Sequence, residues 1–348
     1  MTCCAVIAEY NPMHRGHLYH IAQTKARLGQ DAYLAAVMSG HTVQRGDFPI
    51  LSKTARTRMA LEAGFDLVFE LPAPYACATA ERFARGAAGI IATLGIVTHL
   101  SFGSETGDLE ALEALSRRPL EEIPKGMPNN VLALEYLRAL REKAPSVVPL
   151  AVKRIGGPHD GPRGSASAIR KRILAAGRVP WDTPFMDIWR EEIRAGRVPV
   201  SLVRQERAVL SHLRRMTPLD FWALPDVGAG GLAQRLHHAA GQARSLEELY
   251  HLAKTKRYTM ARIRRCVLAA FLGLTEEMTK TPPHLRLLGI GKRGGELLSC
   301  IEAPIISRPA AHKEALATEA AVTDQFALCM PEPEAVGLEW RSGVVRYR

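Results

Sequence analysis

Residues 3–17 read CCAVIAEYNPMHRGH, and the fold of the chain is built around this stretch. Its first half is a short apolar run that is typical of a buried β-strand. Asn11-Pro12 ends the run, because proline fixes φ and has no N–H to donate to a sheet. From about Arg15, apolar residues recur with helical spacing as far as Gly29. The stretch therefore predicts a strand, a tight turn and a helix.

Two histidines stand at the start of the predicted helix. His14 and His17 are three residues apart, so on a helical first turn they face the same way. The free N–H groups and the positive dipole end of a helix favour anions there, and Gly16 leaves room for a ligand near the backbone. This pattern predicts a phosphate site. Ordinary surface or capping histidines remain an alternative, as does a metal pair, although no third metal ligand stands at a suitable spacing.

The first half of the chain alternates between strand and helix patterns. Further strands are predicted at residues 32–39, 66–71, 97–102 and 147–152, with helical patterns between them. Strands separated in this way form a parallel sheet with right-handed crossovers, which binds its ligand at the carboxyl ends of the strands. A loop followed by Ser165, Ser167 and Arg170 predicts a second helix start that can hold phosphates, or else an ordinary capped helix.

Beyond Pro180 the strand signal disappears and helical patterns follow one another. We therefore expect an α/β unit at residues 1–178 and an all-helical unit at residues 179–348. Residues 141–300 carry 28 Lys and Arg against 14 Asp and Glu, which favours a polyanionic partner over a merely solvated surface. The candidate nucleic-acid contacts are Lys254, Lys256, Arg257, Tyr258, Arg262 and Arg265. The Tyr258 ring is expected either to stack on an unpaired base or to lie in the core.

The composition narrows the cellular setting. The chain has 348 residues, 47% of them hydrophobic and 23% charged, which is typical of a globular protein with room for two domains. Six cysteines without C-x-x-C spacing indicate free thiols in a reducing compartment. The most apolar window, residues 86–97, is too short to span a bilayer, and no secretory signal pattern is present. We expect a cytoplasmic protein without a membrane partner.

The H-x-G-H turn resembles the signature of the HIGH-type nucleotidyltransferase superfamily, and several longer motifs make the resemblance more specific. The run from Glu9 to His20 looks like the opening of bacterial tRNA(Met) cytidine acetate ligases. Matching motifs follow in order: Met38-Ser39-Gly40-His41, Ser52-Lys53-x-x-Arg56, Phe102-Gly103-Ser104-Glu105, Pro128-Asn129-Asn130, Ser165-Ala166-Ser167-x-Ile169-Arg170 and Lys256-Arg257-Tyr258-Thr259. The sequence departs from that family in having Met13 where phenylalanine is usual, and in being shorter than many members.

The resemblance implies a Rossmann-like nucleotidyltransferase domain followed by a basic helical domain that binds tRNA. It implies an enzyme that converts acetate and ATP to acetyl-adenylate and pyrophosphate. The acetyl group then passes to N4 of the wobble cytidine of elongator tRNA(Met). By residue match, His14 and His17 would stabilise the developing charge, while Ser165, Ser167 and Arg170 would hold the pyrophosphate.

The ATP contacts implied by the same match are Ile7, Ala8, Glu9, Tyr10, Asn11, Pro12, Met13, His14, Arg15, Gly16, His17, Leu18, Tyr19, His20, Gly103, Asn129, Asn130, Arg154, Ser165 and Ser167. Mg²⁺ is expected on the phosphates, although no acidic motif identifies its ligands, and no protein partner is inferred.

Three other functions compete with this interpretation. A small-molecule adenylyltransferase of the pantetheine-phosphate or nicotinamide-mononucleotide kind shares both phosphate motifs but usually lacks a basic helical half. An aminoacyl-tRNA synthetase fragment would need a K-M-S-K-S-type loop, of which Lys254-Thr-Lys-Arg-Tyr is a poor copy. A non-catalytic RNA-binding protein on the same scaffold is disfavoured by the intact His14, Gly16, His17 and Arg170.

Overall fold

The computed structural model describes residues 1–119, 128–154, 165–180 and 182–347. Eight strands belong to one sheet: β1 Cys3–Ala8, β2 Tyr33–Ser39, β3 Leu67–Leu71, β4 His99–Ser104, β5 Val148–Lys153, β6 Leu285–Ile290, β7 Ile305–Ile306 and β8 Val345–Arg346. The helices before residue 180 are α1 Arg15–Leu28, α2 Lys53–Glu62, α3 Ala73–Ala76, α4 Ala80–Leu94, α5 Leu109–Ser116, α6 Pro128–Lys143 and α7 Ala166–Ala176.

The later helices are mostly short. They are α8 Met186–Arg194, α9 Glu206–Arg215, α10 Pro218–Trp222, α11 Leu232–Gln242, α12 Leu246–Ala253, α13 Met260–Leu272, α14 Gly294–Leu298, α15 Ala317–Ala327 and α16 Leu338–Arg341. Side-chain caps explain several of their boundaries. Ser245 and Thr259, for example, accept hydrogen bonds from the first turns of α12 and α13.

The sheet has the strand order β5-β4-β1-β2-β3-β6-β7, and β8 pairs with β6. The first five strands run parallel, as the alternation of strands and helices predicts. β1 lies between β2 and β4, where the chain reverses its direction of travel across the sheet. In folds of this kind the ligand binds outside the carboxyl ends of the strands at such a reversal. The predicted α/β fold class is confirmed, and the topology predicts a ligand site beside the end of β1.

The expectation that strands end at Pro180 is wrong. β6 lies antiparallel to β3, and β7 and β8 pair with β6, so residues from the second predicted unit extend the sheet of the first. Arg286 and Arg293 belong to a segment that reads in sequence as a basic loop. Instead, Arg286 lies inside β6 and is 2% exposed, while Arg293 pairs with Asp66 at 3.0 Å. The position of the boundary near residue 178 stays a prediction.

Apolar side chains form three clusters around this framework. One covers the sheet face beneath α4 and α6, and a second covers the opposite face beneath α1, α2 and α8. The third joins α9–α13 with α15, and Tyr258 is one of its buried residues. The helical half therefore has a core of its own, next to a sheet that its last strands complete.

A buried group of charges fixes the carboxyl-terminal helices to the sheet. The Lys53 ammonium group lies 2.7 Å from a carboxylate oxygen of Glu70 on β3 and 2.6 Å from one of Glu339 on α16. Glu319 on α15 accepts a hydrogen bond from the backbone N–H of Ala73 at 2.9 Å. Burial, followed by the charge of Glu70, raises the pKa of Glu319 to about 8. Removing one member of such a buried network leaves an uncompensated charge, which makes the network a strong constraint on this packing.

Candidate functional site

The amino end of α1 is capped by two imidazoles. Nδ1 of His14 accepts a hydrogen bond from the backbone N–H of Gly16 at 3.0 Å, and Nδ1 of His17 accepts one from the N–H of His14 at 3.2 Å. This is a reciprocal capping box in which histidines take the usual places of a hydroxyl and a carboxylate. Because each Nδ1 is an acceptor, each neutral ring carries its proton on Nε2.

Ring contacts hold these imidazoles in place. The centroids of His14 and His17 are 3.9 Å apart with an angle of 36° between the ring planes. The Tyr10 ring packs edge-on against His17 at 5.1 Å. Tyr10 itself is buried and has a left-handed backbone (φ 47°), which turns the chain from β1 into the helix. Two oriented donors therefore lie where the helix dipole already favours an anion.

Gly16 is needed for a different reason from the one that the sequence indicates. A Cβ atom at this position would lie 2.8 Å from Cε1 and 3.0 Å from Nδ1 of His14. Glycine therefore makes room for the imidazole of His14. That ring must lie over the first turn of α1 to accept the hydrogen bond from the Gly16 N–H. The space is filled by the protein's own side chain.

The imidazoles of this helix are neutral near pH 7. Burial, followed by the neighbouring His14 and Arg154, lowers the pKa of His17 well below its ordinary value. Burial and then the charge of Arg154 lower the pKa of His20 to about 4, and Nε2 of His20 lies 2.8 Å from the Ser101 hydroxyl on β4. His17 is therefore suited to stabilise charge as a hydrogen-bond donor.

The remaining residues of the 7–20 stretch follow from this local structure. Ala8, Tyr10, Asn11, Pro12, Met13 and His14 are buried, Arg15 is exposed, and Ile7, Glu9, Gly16, His17, Leu18, Tyr19 and His20 are partly exposed. Asn11 is held by a hydrogen bond from the backbone N–H of Ile50 to its Oδ1 at 2.9 Å. Met13, which departs from the related family, is fully buried and lies in the apolar cluster beneath α1 and α2, away from solvent.

The second predicted phosphate motif lies beside the first. Ser165 caps α7 by accepting a hydrogen bond from the N–H of Ala168 at 3.0 Å. Arg170 donates through Nη1 to the backbone oxygen of Asn11 and through Nη2 to the Ser167 hydroxyl at 3.1 Å. The structure thus brings both motifs together, because Arg170 reaches back to the turn that follows β1.

No site role is predicted from the sequence for two arginines around this turn, although the resemblance to the cytidine acetate ligases includes both in matching motifs. Arg45, an exposed residue of the loop after β2, donates to the Ser167 hydroxyl at 3.4 Å. Arg56 is 0% exposed and donates to the backbone oxygens of Glu9 at 2.7 Å and Ser39 at 2.9 Å. The resemblance includes Arg56 in a motif, but nothing local shows that it ties the ends of β1 and β2 together.

Glu9 is held by the same loop. Its carboxylate accepts a hydrogen bond from the backbone N–H of Gln44 at 2.6 Å. Burial raises the pKa of Glu9, and the Gln44 bond and the nearby charges of Arg170, Arg45 and Arg56 act against that effect. The loop after β2 is therefore fixed to the end of β1 by a carboxylate, next to the predicted phosphate contacts.

The asparagine pair at the start of α6 is engaged by a neighbouring carboxylate. Glu105 accepts hydrogen bonds from the N–H and the side-chain amide of Asn129 at 3.0 and 2.7 Å, and from the N–H of Asn130 at 2.7 Å. Asn130 Oδ1 accepts in return from the Glu105 N–H at 2.9 Å. Gly103 lies nearby on β4, where an added Cβ would be 3.2 Å from the Arg154 side chain. The carboxylate of Glu105 therefore satisfies a helix start that could otherwise attract an external anion.

The basic segment, residues 254–265, divides into exposed and engaged side chains. Lys254, Lys256 and Arg257 are exposed, as expected of contacts to a polyanion. Tyr258 is only 5% exposed and donates its hydroxyl hydrogen to the backbone oxygen of Gly230. Its burial disagrees with a stacking role and agrees with the core alternative.

The two remaining arginines of the predicted set are bound within the protein. Arg262 donates to the backbone oxygens of Asp226 and Val227 at 2.6 and 2.9 Å. Arg265 is 8% exposed, pairs with the Asp226 carboxylate at 2.7 Å and donates to the Gln44 oxygen at 3.1 Å. The prediction treats Arg262 and Arg265 as equivalent to Arg257, and the structure does not. Arg257 is exposed, whereas Arg262 and Arg265 already hydrogen-bond to other parts of the protein.

The described ranges were also searched for metal sites and membrane spans. They contain no group of three or more His, Cys, Asp or Glu side chains that could hold a metal ion. Within the same part of the chain, no helix is both long enough and apolar enough to cross a bilayer.

Comparison with known proteins agrees with this geometry. The profile of the HIGH Nucleotidyl Transferase family matches residues 1–125 and 120–338. A tRNA(Met) cytidine acetate ligase of Acetivibrio thermocellus is 33% identical over 415 aligned residues, covering 99% of this chain and 100% of that protein. A tRNA(Met) cytidine acetate ligase from Thermoanaerobacter sp. (strain X514) is 34% identical, and the alignment covers 98% of each protein. The chain belongs to the tRNA(Met) cytidine acetate ligase family.

Solved structures support the same membership. The crystal structure of Thermotoga maritima TmcAL bound with alpha-thio ATP matches with a TM-score of 0.90 and 26% identity, over 100% of both chains. The apo form of the same protein matches with a TM-score of 0.89. The predicted nucleotidyltransferase fold and the resemblance to cytidine acetate ligases are confirmed. The individual contacts of the nucleotide and of tRNA stay predictions.

Proposed function

We propose that this chain is an ATP-dependent tRNA(Met) cytidine acetate ligase. It converts acetate and ATP to acetyl-adenylate and pyrophosphate, and then acetylates N4 of the wobble cytidine of elongator tRNA(Met). The observation that carries the proposal is the imidazole capping box at the start of α1, found in a chain of the cytidine acetate ligase family. Its two Nε2–H donors and the adjacent Arg170 suit the charge of a nucleotide under attack.

The first step needs placement and charge stabilisation more than proton transfer. Acetate is ionised near neutral pH, so no general base is required. An acetate oxygen attacks the α-phosphorus of ATP, and the bond from that phosphorus to the bridging oxygen of the β-phosphate breaks to release pyrophosphate. His14 and His17 stabilise the negative charge that develops around the α-phosphorus. Arg170, with Ser165 and Ser167 beside it, holds the leaving pyrophosphate.

The second step transfers the acetyl group to the RNA. The exocyclic amine of cytidine attacks the carbonyl carbon of acetyl-adenylate, the bond to the AMP phosphate oxygen breaks, and the amine loses a proton to solvent. The exposed Lys254, Lys256 and Arg257 provide the surface that we assign to tRNA phosphates. The buried Tyr258, together with Arg262 and Arg265, supports that surface from beneath.

Mg²⁺ is expected to arrive with the phosphates of ATP. The described residues supply no cluster of carboxylate and imidazole ligands for it, so they do not fit a dedicated protein site. No step of this mechanism is assigned to the ion. A cytoplasmic location, expected from the free thiols, likewise belongs to this proposal.

The proposal is tested by incubating the protein with labelled acetate, ATP and total tRNA, followed by nucleoside analysis. Labelled N4-acetylcytidine should form only when all three are present, and it should be confined to tRNA(Met). Equal or greater product from acetyl-CoA without ATP would contradict the assignment of acetate as acyl source. ATP–pyrophosphate exchange without acetate, but with nicotinamide mononucleotide or pantetheine phosphate, would favour the small-molecule adenylyltransferase.

A further inference from the structure

Arg264 is held differently from the other arginines of α13. Within the part of the chain that the structure describes, no hydrogen bond or ion pair reaches the guanidinium of Arg264, and its Nε atom is buried. Its Cζ atom lies 5.2 Å from the centroid of the Tyr250 ring. The adjacent Arg262 and Arg265 are both hydrogen-bonded to neighbouring segments. A buried polar atom without a partner costs free energy, so this guanidinium is suited to an anion that is not part of the chain.

The backbone of α13 places Arg264 against the loop that follows β2. A Cβ atom at Gly46 would lie 2.3 Å from the nitrogen of Arg265 and 2.5 Å from the carbonyl carbon of Arg264. Arg265 also donates to the backbone oxygen of Gln44 at 3.1 Å. Gly46 has a φ of +75°. Both the conformation and the close approach require glycine, so the loop lies directly on the helix.

The same loop carries a second arginine to the phosphate motif of α7. Arg45 and Arg170 both donate to the Ser167 hydroxyl, at 3.4 and 3.1 Å. Burial raises the pKa of Asp47, and the charges of Arg264 and Arg170 both act against that effect. Burial lowers the pKa of Arg170, the charges of Glu9 and Asp47 act against that effect, and those of Arg45 and Arg264 act with it. Arg45 and Arg170 therefore meet at Ser167, and Arg264 lies on the helix against which the loop of Arg45 packs.

We propose that Arg264 completes, with Arg45 and Arg170, a clamp for the β- and γ-phosphates of ATP. The inference rests on the proposed function, because those phosphates become the pyrophosphate released in the first step. These three guanidiniums stand against the two carboxylates of Glu9 and Asp47, which leaves an excess of positive charge for a phosphate, and guanidinium forks match phosphate oxygens. A residue of the helical half thereby belongs to the nucleotide site, and α13 contacts nucleotide on one face and supports the RNA surface at its start.

The test is isothermal titration of inorganic pyrophosphate, and separately of AMP, into the full-length protein. The variants are Arg264→Ala, Arg264→Lys and, as a matched control, Arg207→Ala on the exposed side of α9. Losing one charge-assisted contact should weaken pyrophosphate binding about 10- to 100-fold in Arg264→Ala. AMP affinity should be unchanged, Arg264→Lys should lie between Arg264→Ala and wild type, and Arg207→Ala should bind pyrophosphate like wild type.

Other results would overturn the assignment. Unchanged pyrophosphate affinity in Arg264→Ala, together with weakened tRNA binding, would make Arg264 an RNA contact. Equal losses for AMP and pyrophosphate, together with a lower melting temperature, would mean that the residue only maintains the fold. These titrations require neither acetate nor tRNA, so a failure of the labelled-acetate assay would contradict the proposed function without touching the clamp.

Discussion

The nucleotide site and the basic segment differ in how their polar side chains are held. At the proposed nucleotide site, which comprises His14, His17, Ser167 and Arg170, backbone groups of the first helical turn and of Asn11 orient the side chains. In the basic segment, Arg262 and Arg265 use their donors on the loop around Asp226 and on Gln44. Spacing along a helix was informative for His14 and His17 because their capping partners are local. It was misleading for Arg262 and Arg265 because their partners are distant in sequence.

The number of basic residues in a segment differs from the number that are available to bind a polyanion. The basic segment contains six Lys and Arg residues. Tyr258, Arg262 and Arg265 nevertheless stabilise the core and attach it to the loop that follows β2. A high local charge therefore indicates where a polyanion is favoured, but not which residues contact it. The following variants test whether the two regions have the separate roles that this comparison assigns.

Removing a donor from the nucleotide site should have the largest effect. His17→Ala and His14→Asn should each lower the rate of tRNA-independent acetyl-adenylate formation by about 10²- to 10³-fold, because each removes one charge-stabilising Nε2–H. Asparagine is chosen at position 14 because its side-chain oxygen can still cap α1, which alanine would not. ATP–pyrophosphate exchange in the presence of acetate measures the loss.

The control for both variants is His238→Ala, which removes an exposed imidazole of α11. tRNA affinity should stay at the wild-type value in all three proteins. Near-normal exchange in His17→Ala and His14→Asn would reduce these residues to capping groups.

Tyr258 should behave as a core residue. Tyr258→Ala is expected to lower the free energy of unfolding by about 3 kcal/mol, because a buried aromatic ring is replaced by a cavity. Tyr258→Phe should lose only about 1 kcal/mol, for the hydrogen bond to Gly230. Chemical denaturation measures both values. A normal stability combined with weaker tRNA binding in Tyr258→Ala would instead restore the stacking role.

The neutral imidazole of His20 should make stability depend on pH. Its pKa is lowered from 6.5 to about 4 in the folded protein, so the unfolded chain binds the proton more readily. The stabilising contribution is present above pH 6.5 and is lost as the pH falls from about 6.5 to about 4. Between pH 7 and pH 5 the loss in the free energy of unfolding from this group should be about 1–2 kcal/mol.

His20→Asn removes this titration, so its free energy of unfolding should fall less than that of the wild type over the same interval. His238→Asn, an exposed counterpart, should follow the wild type. Parallel pH dependences for the wild type and His20→Asn would show that His20 titrates normally.

The smallest effects are expected on the exposed part of the basic segment. Lys256→Glu and Arg257→Glu should weaken tRNA binding and reduce the slope of log affinity against log salt by roughly one unit or less per lost contact. Acetyl-adenylate formation should be unchanged. Arg265→Glu should differ by impairing both tRNA binding and acetyl-adenylate formation, since Arg265 supports the loop at Gln44.

A salt series of tRNA affinities, run beside exchange assays, separates these cases. If Arg257→Glu lowers exchange as much as Arg265→Glu does, the two regions do not have separate roles. If neither lysine nor arginine reversal alters tRNA binding, the RNA lies on another surface.

The sequence by itself determined the local framework. The strand, turn and helix of residues 3–28 could be predicted because the apolar period, the proline and the helix stop act on neighbouring residues. The five parallel strands followed from the same kind of signal, since each strand and each crossover helix is a continuous segment. The two phosphate motifs were predicted for the same reason, and their proximity follows from the rules of the parallel sheet.

Only the tertiary structure decided which charged residues are buried and which are free. Arg286 can be buried within β6 because the Glu339 carboxylate, on α16, lies 3.8 Å from its Nε atom. Tyr258 can lie in the core because the backbone oxygen of Gly230 accepts a hydrogen bond from its hydroxyl group. Arg264 lies against the loop that follows β2 because Gly46 allows a close approach of the two backbones. A sequence pattern records the period of one element but not its long-range partners. The energy of a buried charge depends almost entirely on those partners.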